Sequence, residues 1–179
     1  MKVLFLGSIG SGKSTQAQIL ADLLKYSYIR SGDLVREKAG ENSLEGLSCK
    51  DALEKGLLAP DEIVAKLVKE RLNQMNNPKG IIFDGYIRRL SQLEVFNPGY
   101  DKVIYLSIPE ELVRERLEKR ERFDDTPDVI ENRLKVYHTE TEPLIGYFKN
   151  KEVLETVDAS GSIEDVTEKL KKVLNIQDE

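Results

Sequence analysis

Only one cysteine, Cys49, and one histidine, His138, occur in 179 residues. A single thiol excludes an internal disulfide, and so few soft ligands leave nothing like a structural zinc set. No apolar run approaches the roughly 18 residues of a membrane-spanning helix, and no charged segment followed by a long apolar one opens the chain. Both absences lead to the expectation of a cytoplasmic protein with no membrane contact. An excess of positive charge is missing too: 27 Lys and Arg stand against 32 Asp and Glu, with a pI near 5.2. A chain that coats nucleic acid normally carries a basic face, so no nucleic-acid partner is expected and any positive site must be local. Internal repeats, low-complexity tracts and long linkers are also lacking. What remains is a length typical of one domain with 40% hydrophobic residues, enough for a proper core. Residues 1–179 therefore read as a single domain.

The stretch Gly7-Ser8-Ile9-Gly10-Ser11-Gly12-Lys13-Ser14-Thr15 fits the phosphate-loop spacing G-x-x-x-x-G-K-[ST]. Glycines let the backbone turn tightly and bring N–H groups against phosphate oxygens. Lys13 supplies a point charge for the β and γ oxygens, and the Ser14 hydroxyl is a candidate ligand of Mg²⁺. Thr15 sits in the first turn of the following helix, whose positive dipole end favours phosphate. At an average glycine usage of about 7%, such a match arises by chance in a chain this long on the order of once in a hundred. Context decides. Lys2-Val-Leu-Phe-Leu6 before it reads as a buried strand, and Gln16 to Lys25 after it as a helix with Ile19, Leu20, Leu23 and Leu24 apolar. Strand, loop and helix occur in the required order, which predicts nucleoside triphosphate binding.

Further along, Ser27–Arg30 reads as a second strand, and Ser31-Gly32-Asp33 opens a helix. Taken alone, Ser31 could be a helix cap and Asp33 a first-turn acid. Residues 44–55 form a helix stopped by Gly56, and Pro60 starts another that runs to about Met75. Ile81-Ile-Phe-Asp84 is a buried strand with an acid at its carboxyl end, where ligands bind in an open α/β sheet. Gly85 to Gln92 is a loop entering a helix, and Lys102–Ile108 a fourth strand. From Glu110 a helix carries Arg114, Arg116, Arg120 and Arg122 interleaved with glutamates, which also suits a solvated face of ion pairs. Asp124-Asp125-Thr-Pro-Asp128 begins one long helix that carries Arg133 and reaches Tyr147. A last strand near 153–157 and an amphipathic helix over 163–174 close the chain. Strands alternating with helices predict a mostly parallel five-stranded sheet covered on both faces, an α/β fold.

These residues resemble the adenylate kinases over nearly the whole chain. The likeness rests on Gly-x-x-Gly-x-Gly-Lys at 7–13, Ile-x-Ser-Gly-Asp at 29–33 with Arg36, and Gly-x-Leu-x-x-Asp at 56–61. It continues with Asp-Gly-x-x-Arg at 84–88 with Gln92, Arg-x-x-x-Arg at 116–120, and Arg-x-Asp-Asp at 122–125 with Arg133. The resemblance implies a three-layer α/β/α fold of the P-loop NTPase type. It also implies a helical monophosphate-binding insertion at about 30–59 and a very short lid at about 120–126. Transfer of a phosphoryl group from Mg-ATP to AMP would follow, with Lys13, Arg88, Arg120, Arg122 and Arg133 as the catalytic charges. The donor site would be Gly10, Ser11, Gly12, Lys13, Ser14, Thr15 and Arg120, with Arg116 stacking on adenine. The acceptor site would be Ser31, Arg36, Ala59, Gly85, Arg88 and Gln92, joined by Arg122 and Arg133. Mg²⁺ would meet Ser14 directly and Asp33 and Asp84 through water. A monomer is expected by the same analogy.

The chain departs from the family pattern at Ile9, Arg30 and Tyr86-Ile87-Arg88-Arg89. Losing a proline at position 87 predicts a looser loop, and Arg89 an extra charge near the monophosphate. Alternatives within kinases are a UMP/CMP kinase, against which Gln92 argues, or another small-acceptor kinase. A catalytically weak adenylate-binding module is a further one. A GTPase-like switch would need an Asn-Lys-x-Asp stretch, and none is present.

Overall fold

The computed structural model describes residues 1–119 and 126–176. Short runs rich in Val, Ile, Leu and Phe cannot leave either face in water, and they form a sheet buried on both sides. Its strands are β1 (Lys2–Leu6), β2 (Ser27–Arg30), β3 (Ile81–Asp84), β4 (Lys102–Ser107) and β5 (Leu154–Asp158). They lie in the order β2-β3-β1-β4-β5, with every pairing parallel. The five-stranded parallel sheet expected from the sequence is present.

Alternate residues of each strand serve opposite layers. Val3, Phe5, Ile82, Ile104 and Leu106 pack under α1 (Lys13–Leu24) and α9 (Ile163–Val173), against Ala17, Leu20, Val166 and Leu170. Leu4, Leu6, Ile81, Phe83 and Val103 face the other layer. That layer is built from α2 (Ser31–Ala39), α3 (Leu44–Glu54), α4 (Asp61–Asn73), α5 (Leu90–Val95) and α8 (Pro143–Asn150). A smaller cluster of Val113, Leu117 and Leu134 joins α6 (Glu110–Glu118) to α7 (Pro127–Val136) and includes Ile9 of the loop after β1.

Helix ends are set locally. Thr126 caps α7 by accepting from the Val129 N–H, with Pro127 in the first turn; such a cap contributes about 1 kcal/mol. Ser162 and Asp165 form a capping box on α9. α1 is different: its cap is Gly12 in a left-handed conformation with no side-chain bond. The first N–H groups of α1 therefore open toward the cleft described below.

The long helix expected to reach Tyr147 is interrupted. α7 ends at Val136, a π-turn spans Tyr137–Thr141, and α8 continues to Asn150. Pro143 explains the change, because it has no N–H and its ring would strike the carbonyl four residues back in an unbroken α-helix. A five-residue turn, closed by Glu142 N–H to the Tyr137 carbonyl at 2.9 Å, accommodates it. Among the described residues no helix is long and apolar enough to cross a membrane.

Candidate active site

β1 lies between β3 and β4, so the chain leaves its carboxyl end at a point where the strand order reverses and a crevice opens. The loop from Gly7 to Gly12 fills that point. Gly7 has φ 145°, and a Cβ there would sit 2.9 Å from the Leu106 carbonyl oxygen, so only glycine fits. Lys13 Nζ donates to the Ser8 carbonyl and, at 3.4 Å, to Ser11 Oγ, which folds the ammonium onto its own loop.

Ser14 Oγ donates to Asp84 Oδ2 at 2.5 Å, joining the first turn of α1 to the end of β3. The same carboxylate oxygen accepts from the Tyr28 phenol at 3.0 Å and lies 3.5 Å from Arg30 Nε. Burial, then the charge of Asp84, holds the Tyr28 phenol far above the usual tyrosine range, so it acts only as a donor.

A cleft of about 690 Å³ runs across the carboxyl ends of the strands. Its lining takes in Gly10, Ser11, Gly12, Lys13, Ser14, Thr15 and Arg116, and also Ser31, Arg36, Ala59, Gly85, Arg88, Gln92, Asp84 and Arg133. Arg116 is held over the phosphate loop by Nη2 donating to the Ala159 and Gly161 carbonyls at 3.0 and 3.3 Å. Arg114, by contrast, forms the surface ion pairs that the charge run also suggested, with Glu110 and Glu131, while Lys119 lines the cleft edge and pairs with Glu115.

The far end is organised by Arg88. Its N–H donates to Gln92 Oε1 at 2.7 Å, its Nε donates to the Gly85 carbonyl at 2.8 Å, and its carbonyl accepts from Thr141 Oγ1 at 2.7 Å. Ser31 is not a cap. It is the first residue of α2, and its hydroxyl donates to the Gly85 carbonyl at 2.7 Å. Loss of solvation lowers the pKa of the Arg88 guanidinium, Asp84 opposes that shift, and Arg133, Arg36 and Arg30 add to it. Several cations facing one another in this way make a site that favours an anion.

Three sequence expectations turn out differently. Asp33 does not line the cleft: it is 57% exposed and pairs with Arg36 at 3.1 Å and Arg30 at 3.4 Å. Arg89 points away from it and forms a two-pronged pair with Asp61, Nε to Oδ1 at 2.9 Å and to Oδ2 at 3.0 Å, which Ser91 Oγ joins at 2.6 Å. Nor does the loop lack anchorage without proline, since Tyr86 and Ile87 are fully buried and the Tyr86 phenol donates to the Phe96 carbonyl at 2.9 Å. Arg120 and Arg122, with the expected lid up to Asp125, lie outside the described residues.

A family model described as adenylate kinase matches residues 5–153. The chain is 38% identical to an adenylate kinase of Trichodesmium erythraeum (strain IMS101), with 96% of each chain covered. It is 41% identical to one of Mycobacterium bovis (strain BCG / Pasteur 1173P2), with 93% of this chain and 94% of that one covered. The chain belongs to the adenylate kinase family. The part that matches the adenylate kinase model contains the phosphate loop and all of the Arg88 network, whereas the Ala159–Gly161 support of Arg116 lies beyond it.

Other residues that shape this adenylate kinase cleft carry weaker sequence signals. Tyr28 lies two positions before Arg30 on β2, so strand alternation puts both on one face. Thr141 lies eight residues after Arg133, and a straight α-helix would have turned it away. Asn132 Nδ2 donates to the Lys55 carbonyl at 3.0 Å, bringing α7 against the turn after α3. There Gly56 has φ 68°, and a Cβ would lie 2.6 Å from the Val129 carbonyl oxygen.

Proposed function

We propose that the chain catalyses reversible phosphoryl transfer from Mg-ATP to AMP, giving two ADP. The observation that carries this is one cleft lined both by a phosphate loop at a helix N-terminus and by the arginines around Arg88. On this reading an oxygen of the AMP phosphate attacks the γ-phosphorus and the bond to the β,γ-bridging oxygen breaks. Such transfer asks the protein for alignment and positive charge rather than a covalent nucleophile.

Gly10 to Thr15 receive the ATP phosphates, with Lys13 as their point charge, and Arg116 presents a flat guanidinium to the donor adenine. Arg36 and Arg88 hold the AMP phosphate, and Ser31, Ala59, Gly85 and Gln92 surround its nucleoside. Arg133 serves the migrating group, with Arg120 and Arg122 brought to it by a lid at 120–126. Residues 30–59 form the acceptor-binding arm, and closing the lid excludes water as a competing acceptor.

For Mg²⁺, the Ser14 hydroxyl and the Asp84 carboxylate are hard oxygen donors that already meet at 2.5 Å. Among the described residues no cluster of three or more acidic, histidine or cysteine side chains could cage a metal. That fits an ion that keeps most of its water and arrives with the triphosphate. It would neutralise charge on the phosphates. The reading makes the chain a cytoplasmic monomer.

The test is initial-rate transfer from Mg-ATP to AMP, UMP, CMP, dTMP and shikimate in parallel, with a no-acceptor control. A preference for AMP of about tenfold or more supports the proposal, since a site that pairs with polar edges discriminates at least this well. Preference for another acceptor, or ATP binding without transfer, overturns it.

A further inference from the structure

We infer that Thr141 is a positioning residue for the acceptor phosphate, acting through the backbone of Arg88; this rests on the AMP-kinase reading above. The two peptides that flank the Arg88 Cα are each held by a side chain, Gln92 Oε1 accepting from the Arg88 N–H and Thr141 Oγ1 donating to the Arg88 carbonyl, each at 2.7 Å. Thr141 is buried at 8% exposure, comes from a segment 53 residues downstream, and adds to the loop's own Gln92 and Gly85 bonds one that reaches the Arg88 carbonyl. Fixing the carbonyl as well as the N–H holds both peptide planes that flank the Cα from which the guanidinium side chain leaves.

The π-turn makes this bond possible. An α-helix drifts by about 40° for every four residues, so Arg133, Tyr137 and Thr141 would wind off one face by about 80°. All three nevertheless line the cleft. The wider turn at Tyr137–Thr141 takes up the drift, and the Tyr137 hydroxyl, 3.0 Å from that of Tyr105, ties it to β4. One helical segment thus carries Arg133 and also holds Arg88 in place.

The experiment compares Thr141→Val and Thr141→Ser with the wild type by steady-state kinetics in both substrates, AMP calorimetry and thermal melting. Thr141→Val should raise KM and Kd for AMP roughly three- to tenfold, the factor one ordinary hydrogen bond is worth. KM for ATP should stay within about twofold, and Thr141→Ser should restore wild-type values. Unchanged AMP constants in Thr141→Val, equal loss in Thr141→Ser, or a parallel rise in both KM values would overturn the inference. If Thr141→Val does not fold, Thr141→Ala against Thr141→Ser gives the same comparison. A wild-type chain that neither binds nor phosphorylates AMP overturns the functional reading and this inference together. Normal wild-type turnover with an unmoved variant overturns this inference alone.

Discussion

Ser14 and Asp84, 70 residues apart, share a hydrogen bond of 2.5 Å that locks the start of α1 to the end of β3. Parallel pairing of β1 and β3, with Phe5 opposite Asp84, makes this possible. Asp84→Asn keeps the shape but replaces a carboxylate oxygen that accepts from Ser14 and Tyr28. We expect the Mg²⁺ concentration for half-maximal rate to rise by roughly 10- to 100-fold, as for other residues that orient metal ligands. Magnesium titration of the rate at saturating nucleotide checks this, and an unchanged midpoint would remove Asp84 from the metal site.

Lys13→Met should lower the transfer rate by ~10²-fold or more, the usual cost of one preorganised charge. Its ammonium donates to the Ser8 carbonyl and the Ser11 hydroxyl of its own loop, and the melting temperature should move little. Single-turnover transfer measured beside a melting curve separates the two effects. Near-normal turnover in the folded variant would sink the donor assignment.

Neighbouring arginines should behave oppositely. Arg88→Ala removes a charge-assisted phosphate contact and should raise KM for AMP about tenfold or more with little change for ATP. Arg89→Ala takes the cation from the nearly buried Asp61, whose side chain is 9% exposed, and leaves it the Ser91 hydroxyl. We expect a loss of roughly 1–3 kcal/mol, discounted from a fully buried pair because Arg89 is partly in solvent. In a chain of this size that is about 2–12 °C in Tm, with AMP kinetics nearly unchanged. An AMP defect in Arg89→Ala without a drop in Tm would contradict the geometry.

Alkaline pH should unfold the protein. The phenols of Tyr28, Tyr86, Tyr100 and Tyr137 are all raised above the ordinary tyrosine value, burial being the largest cause in each. Their contribution to stability is intact below the unfolded value of about 10. Above it the unfolded chain loses protons that the folded chain keeps, so stability falls as pH rises. Urea midpoints at pH 8, 9, 10 and 11 with phenolate absorbance should show these tyrosines ionising only as the fold opens. A midpoint that stays flat to pH 11 would rule this out.

What the sequence alone determined were the features governed by a few adjacent residues. The phosphate loop is one, because glycine at Gly7, Gly10 and Gly12 permits positive φ and the flanking strand and helix follow from their own periodicity. The five strands are another, because an apolar run of β-formers has only the interior of a sheet to occupy. Ser31, Arg36, Arg88 and Gln92 were legible through family resemblance, and the fold does bring them to one cleft. Tertiary structure alone decided which partner each long polar side chain meets. Arg89 found Asp61 rather than the cleft, Asp33 turned to Arg30 and Arg36, and Thr141 reached Arg88 across 53 residues. Local pattern carries no record of such choices, because charged side chains are indifferent to backbone periodicity and pair with whatever folding brings near. The π-turn at Tyr137–Thr141 was not expected from the sequence, which read as one long helix to Tyr147; Pro143 accounts for a break, and packing against β4 and the Arg88 loop set its form.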